Sequence, residues 1–185
     1  NAGRDEITQR RVGRNELDTI QTLLAVVDAQ REYAAKDFDG NGYADYARRF
    51  RSTPGKKDGL YWEDTTGKDP SPLGPLMASA SREGYGKNSP AKGDAPAPYH
   101  GYHYKLVTSQ GKDAKGGAYD YLVGGRLVGG FAVVAWPASY RVSGVMTFIV
   151  NHDGVVYEKD LGAQTASIAS AMTRYNPDAT WRKAE

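Results

Sequence analysis

An α+β fold, with a long N-terminal helix packed on an antiparallel β-sheet and a C-terminal helix, is predicted by three features of the 185-residue sequence. Apolar side chains recur at helical spacing in residues 15–37. Strand-like alternation dominates from residue 99 to residue 160, and a long Pro/Gly-rich region separates the two halves. The length and a 39% hydrophobic content suit one domain with its own core, taken as residues 15–185.

Residues 1–14 are polar and aperiodic and are expected to be flexible. From Asn15, "NELDTIQTLLAVVDAQREYAAKD" sets Leu17, Ile20, Leu24, Val27, Arg31 and Ala34 three or four apart, which predicts an apolar stripe facing the sheet. Asn15 is the expected N-cap, with Asp18 three positions on. The stretch 52–98 reads mostly as loop. Within it "PLMASASREGY" predicts a short helix ended by Gly84 or Gly86, and "GLYWE" a strand or an anchor through Tyr61 and Trp62.

Strands are predicted next in "YHGYHYKLVTS", "AYDYLV" and the continuous apolar run "GGFAVVAWP". "GVMTFIVNHDGVVYEKDLG" reads as a hairpin turning at Asn151–Gly154, where Gly154 supplies a positive φ. "AQTASIASAMTRY" predicts a closing helix with Ala163, Ala166, Ile168 and Met172 on its face. Pro177 ends it, and Trp181 packs back.

Charge and composition exclude several functions. The 24 basic and 22 acidic residues are interspersed and give a net charge of +2, so neither nucleic acid nor an anionic membrane is an expected partner. The basic stretch Arg4–Arg14 reads as a solvated end. Without cysteine there can be no disulfide, thiol nucleophile or Cys-ligated zinc. No run approaches the ~18 apolar residues of a spanning helix. The chain starts at Asn1 with no methionine or apolar leader, as a mature exported protein or a trimmed one would.

"DFDGNGYAD" carries the strongest chemical pattern. Asp37, Asp39, Asn41, the Tyr43 carbonyl and Asp45 occupy positions one, three, five, seven and nine of a calcium loop, with Gly42 at the bend. Position twelve is Arg48, where an EF-hand needs a bidentate Glu. Two readings stand: a short calcium loop completed by water or another carboxylate, or an Asx-turn cluster that ends the helix. His100 and His103 fall on a predicted strand and point to opposite faces, and His152 sits in a turn, which gives zinc poor support. "GGAYDYLVGGRLVGG" lacks a phosphate-loop pattern; its glycines read as turns and bulges. The tyrosines of the sheet half read as core-edge residues or as an aromatic face for a glycan, peptide or subunit. Glu63, Asp64 and Glu83 form an acid–base pair only if the fold joins them.

The blocks "AYDYLVGGRLVGGFAVVAWPASY", "GVMTFIVNHDGVVYEKDLG", "STPGKKDGLYWED" and "SPLGPL" resemble domain-of-unknown-function family 2950, a family of exported proteobacterial proteins. The resemblance runs from about Glu16 to Trp181 and implies a periplasmic or extracellular address, with no catalytic residues to carry over. The long helix, "DFDGNGYADY" and a sheet ending in "TFIVNHDGVVYE" are also similar to pilin-like and pseudopilin proteins, although the apolar segment at their helix start is missing.

The expected function is that of an exported, non-enzymatic structural or interaction protein. Its expected form is a pilin-like surface or filament subunit with a calcium-stabilised loop, partnered by itself, a cell-envelope protein or a glycan. The alternative is a periplasmic hydrolase with a site under the 52–98 loop.

Overall fold

A computed structural model describes residues 2–83 and 97–185. The order is α1 (Ala2–Lys36), α2 (Gly74–Arg82), β1 (Tyr102–Val107), β2 (Ser109–Gln110), β3 (Tyr119–Asp120), β4 (Leu122–Val123), β5 (Arg126–Leu127), β6 (Ala132–Pro137), β7 (Met146–Asn151), β8 (Tyr157–Asp160), α3 (Thr165–Ala171) and β9 (Arg182–Lys183). A five-stranded sheet has the order β1-β6-β7-β8-β9, with every neighbour antiparallel. β2–β3 and β4–β5 form separate two-stranded ribbons.

The sheet is covered on both faces, and alternation along β6 shows how. Val133 and Ala135 join Tyr102, Phe148 and Val150 beneath Leu23, Val26, Val27 and Tyr33 of α1. Ala132 and Val134 face the other way, with Val107, Ile149, Ala169 and Tyr175. This two-sided burial is why "FAVVA" reads as an unbroken apolar run. Each fully buried leucine or valine here contributes about 1.5–3 kcal/mol relative to exposure.

α1 differs from the sequence expectation at its start and in its facing. It is continuous from Ala2, so Asn15 is an interior residue and not a cap; its Nδ2 donates to the Ser143 carbonyl at 2.8 Å. The buried face carries Thr19, Leu23, Val26, Gln30 and Tyr33, whereas Leu17 and Leu24 are 58% and 41% exposed. Polar residues can occupy the inner face because each is satisfied there. Thr19 donates to the Asn15 carbonyl at 2.7 Å, Thr22 to the Asp18 carbonyl at 2.8 Å, and Gln30 bonds both main-chain groups of Ala47. The Arg31 guanidinium reaches the His152 carbonyl at 3.1 Å, which explains a charge on the predicted apolar stripe.

The 52–98 region contains the predicted short helix as α2, whose expected stops, Gly84 and Gly86, lie outside the described residues. "GLYWE" is an anchor. Tyr61 exchanges backbone hydrogen bonds with Phe50 and Ser52 at 2.8 Å, Trp62 Nε1 donates to the Asp69 carbonyl at 2.9 Å, and Leu60 and Leu73 enter the core.

"AYDYLV" does not form one strand. Tyr121 is fully buried between β3 and β4, with its hydroxyl donating to Gln110 Oε1 at 2.9 Å, and this splits the stretch between two ribbons. Gly124 and Gly125, at φ of 58° and 80°, make the two-residue turn from β4 to β5. The β7–β8 hairpin forms as predicted, with Gly154 at φ 77°. α3 ends at Ala171, before Pro177, and buries Thr165 and Ala169 while Ala163, Ala166 and Ile168 are exposed. Thr165 fits the buried side because its hydroxyl donates to the Gly162 carbonyl at 2.6 Å. Met172 and Trp181 pack against the second core cluster.

Candidate functional site

The Asp-rich loop begins where α1 stops. Asp37 takes a left-handed backbone at φ 45°, a conformation that Asp tolerates better than most residues, and its carbonyl accepts the Gly40 amide at 3.1 Å. Its carboxylate accepts the amides of Asn41 and Gly42, both at 3.0 Å. Asn41 is the hub: its Nδ2 lies 2.8 Å from Asp39 Oδ2 and 3.1 and 3.2 Å from the two oxygens of buried Asp45, while its Oδ1 accepts the Tyr43 amide at 2.8 Å.

The sequence-predicted residues are therefore brought together at Asn41, with Asp39 and Asp45 on its carboxamide and Asp37 on its main-chain amide. Tyr43 places its amide there, and its ring lies under the Arg126 guanidinium at 3.7 Å. Desolvation pushes the Asp39 carboxyl above its ordinary value, with the charge of Asp45 adding to the rise and hydrogen bonds from Asn41 opposing it. Among the described residues, no three His, Cys, Asp or Glu side chains gather as metal ligands.

The other candidates separate in space. His100 lies in a turn at φ 48°, not on a strand, with Nδ1 3.4 Å from Asp18 Oδ2 and Nε2 3.3 Å from Glu83 Oε2. An imidazole oriented by a carboxylate is two of the three parts that a hydrolytic triad needs. His103 packs on Trp136, and the His152 ring sits between Tyr121 and Phe131. Asp64 accepts the amides of Thr66, Gly67 and Asp69 in a loop of its own, and hydrogen bonds from Thr66 foremost hold its carboxyl below the usual range. Most of the sheet-half tyrosines belong to the core: Tyr102 and Tyr121 are wholly buried, and burial pushes the Tyr104 hydroxyl up to about 12.

The model of a family described as "protein of unknown function (DUF2950)" matches residues 1–184. The chain belongs to DUF2950. No curated protein and no solved structure matches this DUF2950 chain. Among the described residues, none of its helices is long and apolar enough to cross a membrane.

Several positioning residues of the DUF2950 chain carried no sequence signal. Glu16 Oε1 accepts the amides of Val145 and Met146 at 2.8 and 3.0 Å, which fixes α1 to the start of β7. Gln30 ties α1 to Ala47, two residues beyond Asp45. Such contacts join residues remote in sequence, and a polar residue within an amphipathic helix looks the same whether it faces water or a buried amide.

Proposed function

We propose that this DUF2950 chain is an exported, non-enzymatic interaction protein that associates with a second copy of itself through α1. The observation that carries the reading is the outer stripe of α1. Arg10, Arg14, Leu17, Gln21, Leu24 and Asp28 are all exposed and follow one another at alternating steps of four and three, the seam of a two-helix coiled coil. The stripe is basic at one end, apolar in the middle and acidic at the other. An antiparallel second copy centred on Gln21 sets Arg14 against Asp28 and Arg10 against Glu32, and brings Leu17 near Leu24 on both sides of the two-fold axis.

The exported address follows from the resemblance set out above. The pilin-like form of the reading is supported by residues 5–14, which continue the helix and are exposed along most of their length. A two-fold pair closes on itself, so filament growth would require another, head-to-tail surface.

Sedimentation velocity at increasing protein concentration tests the association. A dimer is expected that weakens at least tenfold in Leu24→Glu and in Asp28→Arg, and is regained when Asp28→Arg is combined with Arg14→Asp. A monomer at every concentration up to about 1 mM would sink the reading, since association weaker than that is worth less than about 4 kcal/mol.

Within the same proposal, the Asp37–Asp45 loop is calcium-stabilised. The carboxylates of Asp39 and Asp45 on one carboxamide, with that of Asp37 on the adjoining main-chain amide, support it. Binding requires Asn41 to turn its carboxamide so that oxygen replaces Nδ2 at the centre. Thermal unfolding in millimolar calcium and in excess chelator should then differ by several degrees, because ligand at a hundred times its dissociation constant adds about 2.7 kcal/mol. The shift should vanish in Asp39→Asn. Equal melting in calcium and chelator would leave only a hydrogen-bonded helix ending.

A further inference from the structure

A cleft of about 510 Å³ opens on the side of the molecule where α3 packs, between the 111–117 loop, the β7–β8 turn and the segment after α3. The residues that give it chemistry are Asp113, Lys115, Asp153, Tyr157 and Tyr175, with Val155 and Pro177 supplying apolar wall. Tyr175 is the deciding member. It is only 5% exposed, yet its hydroxyl makes no hydrogen bond among the described residues. Nor does that hydroxyl belong with the sealed polar atoms lacking partners, which among the described residues are Ser71 Oγ, Thr147 Oγ1 and His152 Nδ1. A nearly buried hydroxyl on a cleft wall with no protein partner is a group left for a ligand.

The charged heads around it, Asp113, Lys115 and Asp153, are exposed and keep most of their bonding capacity free. The Asp153 carboxylate and the Lys115 ammonium have no partner among the described residues, and Asp113 uses only Oδ2, which accepts Asn176 Nδ2 at 3.0 Å. The walls that carry them are fixed. Gln110 Nε2 donates to the carbonyls of Lys115 and Gly117 at 2.8 and 2.7 Å, and the Asp113 amide donates to Asn176 Oδ1 at 2.9 Å. A site whose frame is bonded while its functional heads are free is organised before ligand arrives.

From this geometry we infer that the cleft binds a carbohydrate. Two carboxylates can only accept hydrogen bonds, an ammonium can only donate, and a tyrosine hydroxyl does both. Sugar hydroxyls meet all three demands at once, and the C–H faces of the ring suit Pro177, Val155 and the tyrosine rings. An anion is disfavoured by Asp113 and Asp153. A small cation is disfavoured by Lys115 and by the apolar part of the wall. The volume lies within the range of about 300–1,000 Å³ usual for small-molecule sites, which suits a short oligosaccharide.

The inference is independent of association through α1, which uses the opposite face of the sheet. Calorimetric titration with maltotriose, N,N′,N″-triacetylchitotriose and, as a cationic control, putrescine tests it on the full chain. At least one trisaccharide is expected to bind with a dissociation constant of about 0.1–1 mM. Asp153→Asn and Tyr175→Phe should each weaken it tenfold or more, with melting unchanged in the exposed Asp153→Asn variant. Binding of putrescine alone, sugar binding that both variants leave intact, or no sugar binding at millimolar concentration would overturn the assignment.

Discussion

A Gln30→Leu variant is expected to lose about 2–6 kcal/mol of stability, although leucine nearly matches glutamine in size and is a good helix former. Gln30 is wholly buried, and its Nε2 donates to the Ala47 carbonyl at 2.9 Å while its Oε1 accepts the Ala47 amide at 2.8 Å. Leucine leaves both main-chain groups dry and unpaired, at about 1–3 kcal/mol each. Against a total stability of about 5–15 kcal/mol, that is a large fraction. Urea denaturation measures it directly, with Gln21→Leu on the exposed face as the comparison. A loss below about 1 kcal/mol would mean that Ala47 finds other partners and that the 37–47 loop is not held to α1 by this side chain.

The second large effect is steric. A Cβ at Gly144 would lie 2.1 Å from the Tyr102 hydroxyl and 2.5 Å from its ring carbons, with no backbone irregularity involved. Tyr102 cannot retreat. Its ring is fully buried against Phe148, and its hydroxyl donates to the Met146 carbonyl at 2.9 Å. Gly144→Ala is therefore expected to destabilise by about 3 kcal/mol, at the upper end of what one extra methyl does in a packed core. Gly13→Ala provides the contrast. Gly13 is in α1 with nothing near its Cβ position, and the same substitution there should stabilise by about 0.5–1 kcal/mol. Melting temperatures that move in opposite directions, by roughly 6–12 °C down and 1–4 °C up, are the expected result. If both variants melt alike, Tyr102 does not pack over Gly144.

The sequence made the classes of element legible but not their facing. α1, β1, β6 and the β7–β8 hairpin follow from periodicity because each buries enough apolar surface for the pattern to dominate. The apolar stripe of α1 differs from its buried face because Thr19, Thr22 and Gln30 lie inside while Leu17 and Leu24 lie outside. Hydrophobicity alone cannot report that a polar side chain has a buried partner 17 residues away, as Gln30 does. The aspartate loop was legible as a cluster, since "DFDGNGYAD" places its members within one turn of chain. His100 beside Asp18, and the cleft on which Tyr175 opens, depend on contacts between distant segments and left no local trace.

The sheet is covered by opposite ends of the chain: α1 lies on one face, α3 and the segment after it lie on the other, and β9 borders β8. Glu16 meets Val145 across a separation of 129 residues. A chain emerging N-terminus first therefore displays α1 long before its docking surface exists, and β6 gains its second cover only once Ala169 and Tyr175 have appeared. High sequence separation of this kind slows folding and lengthens the time for which apolar strands stand open to other chains. Ala169 and Tyr175, which close the second face, thus follow in the chain the strands β1, β6 and β7 that they help to cover.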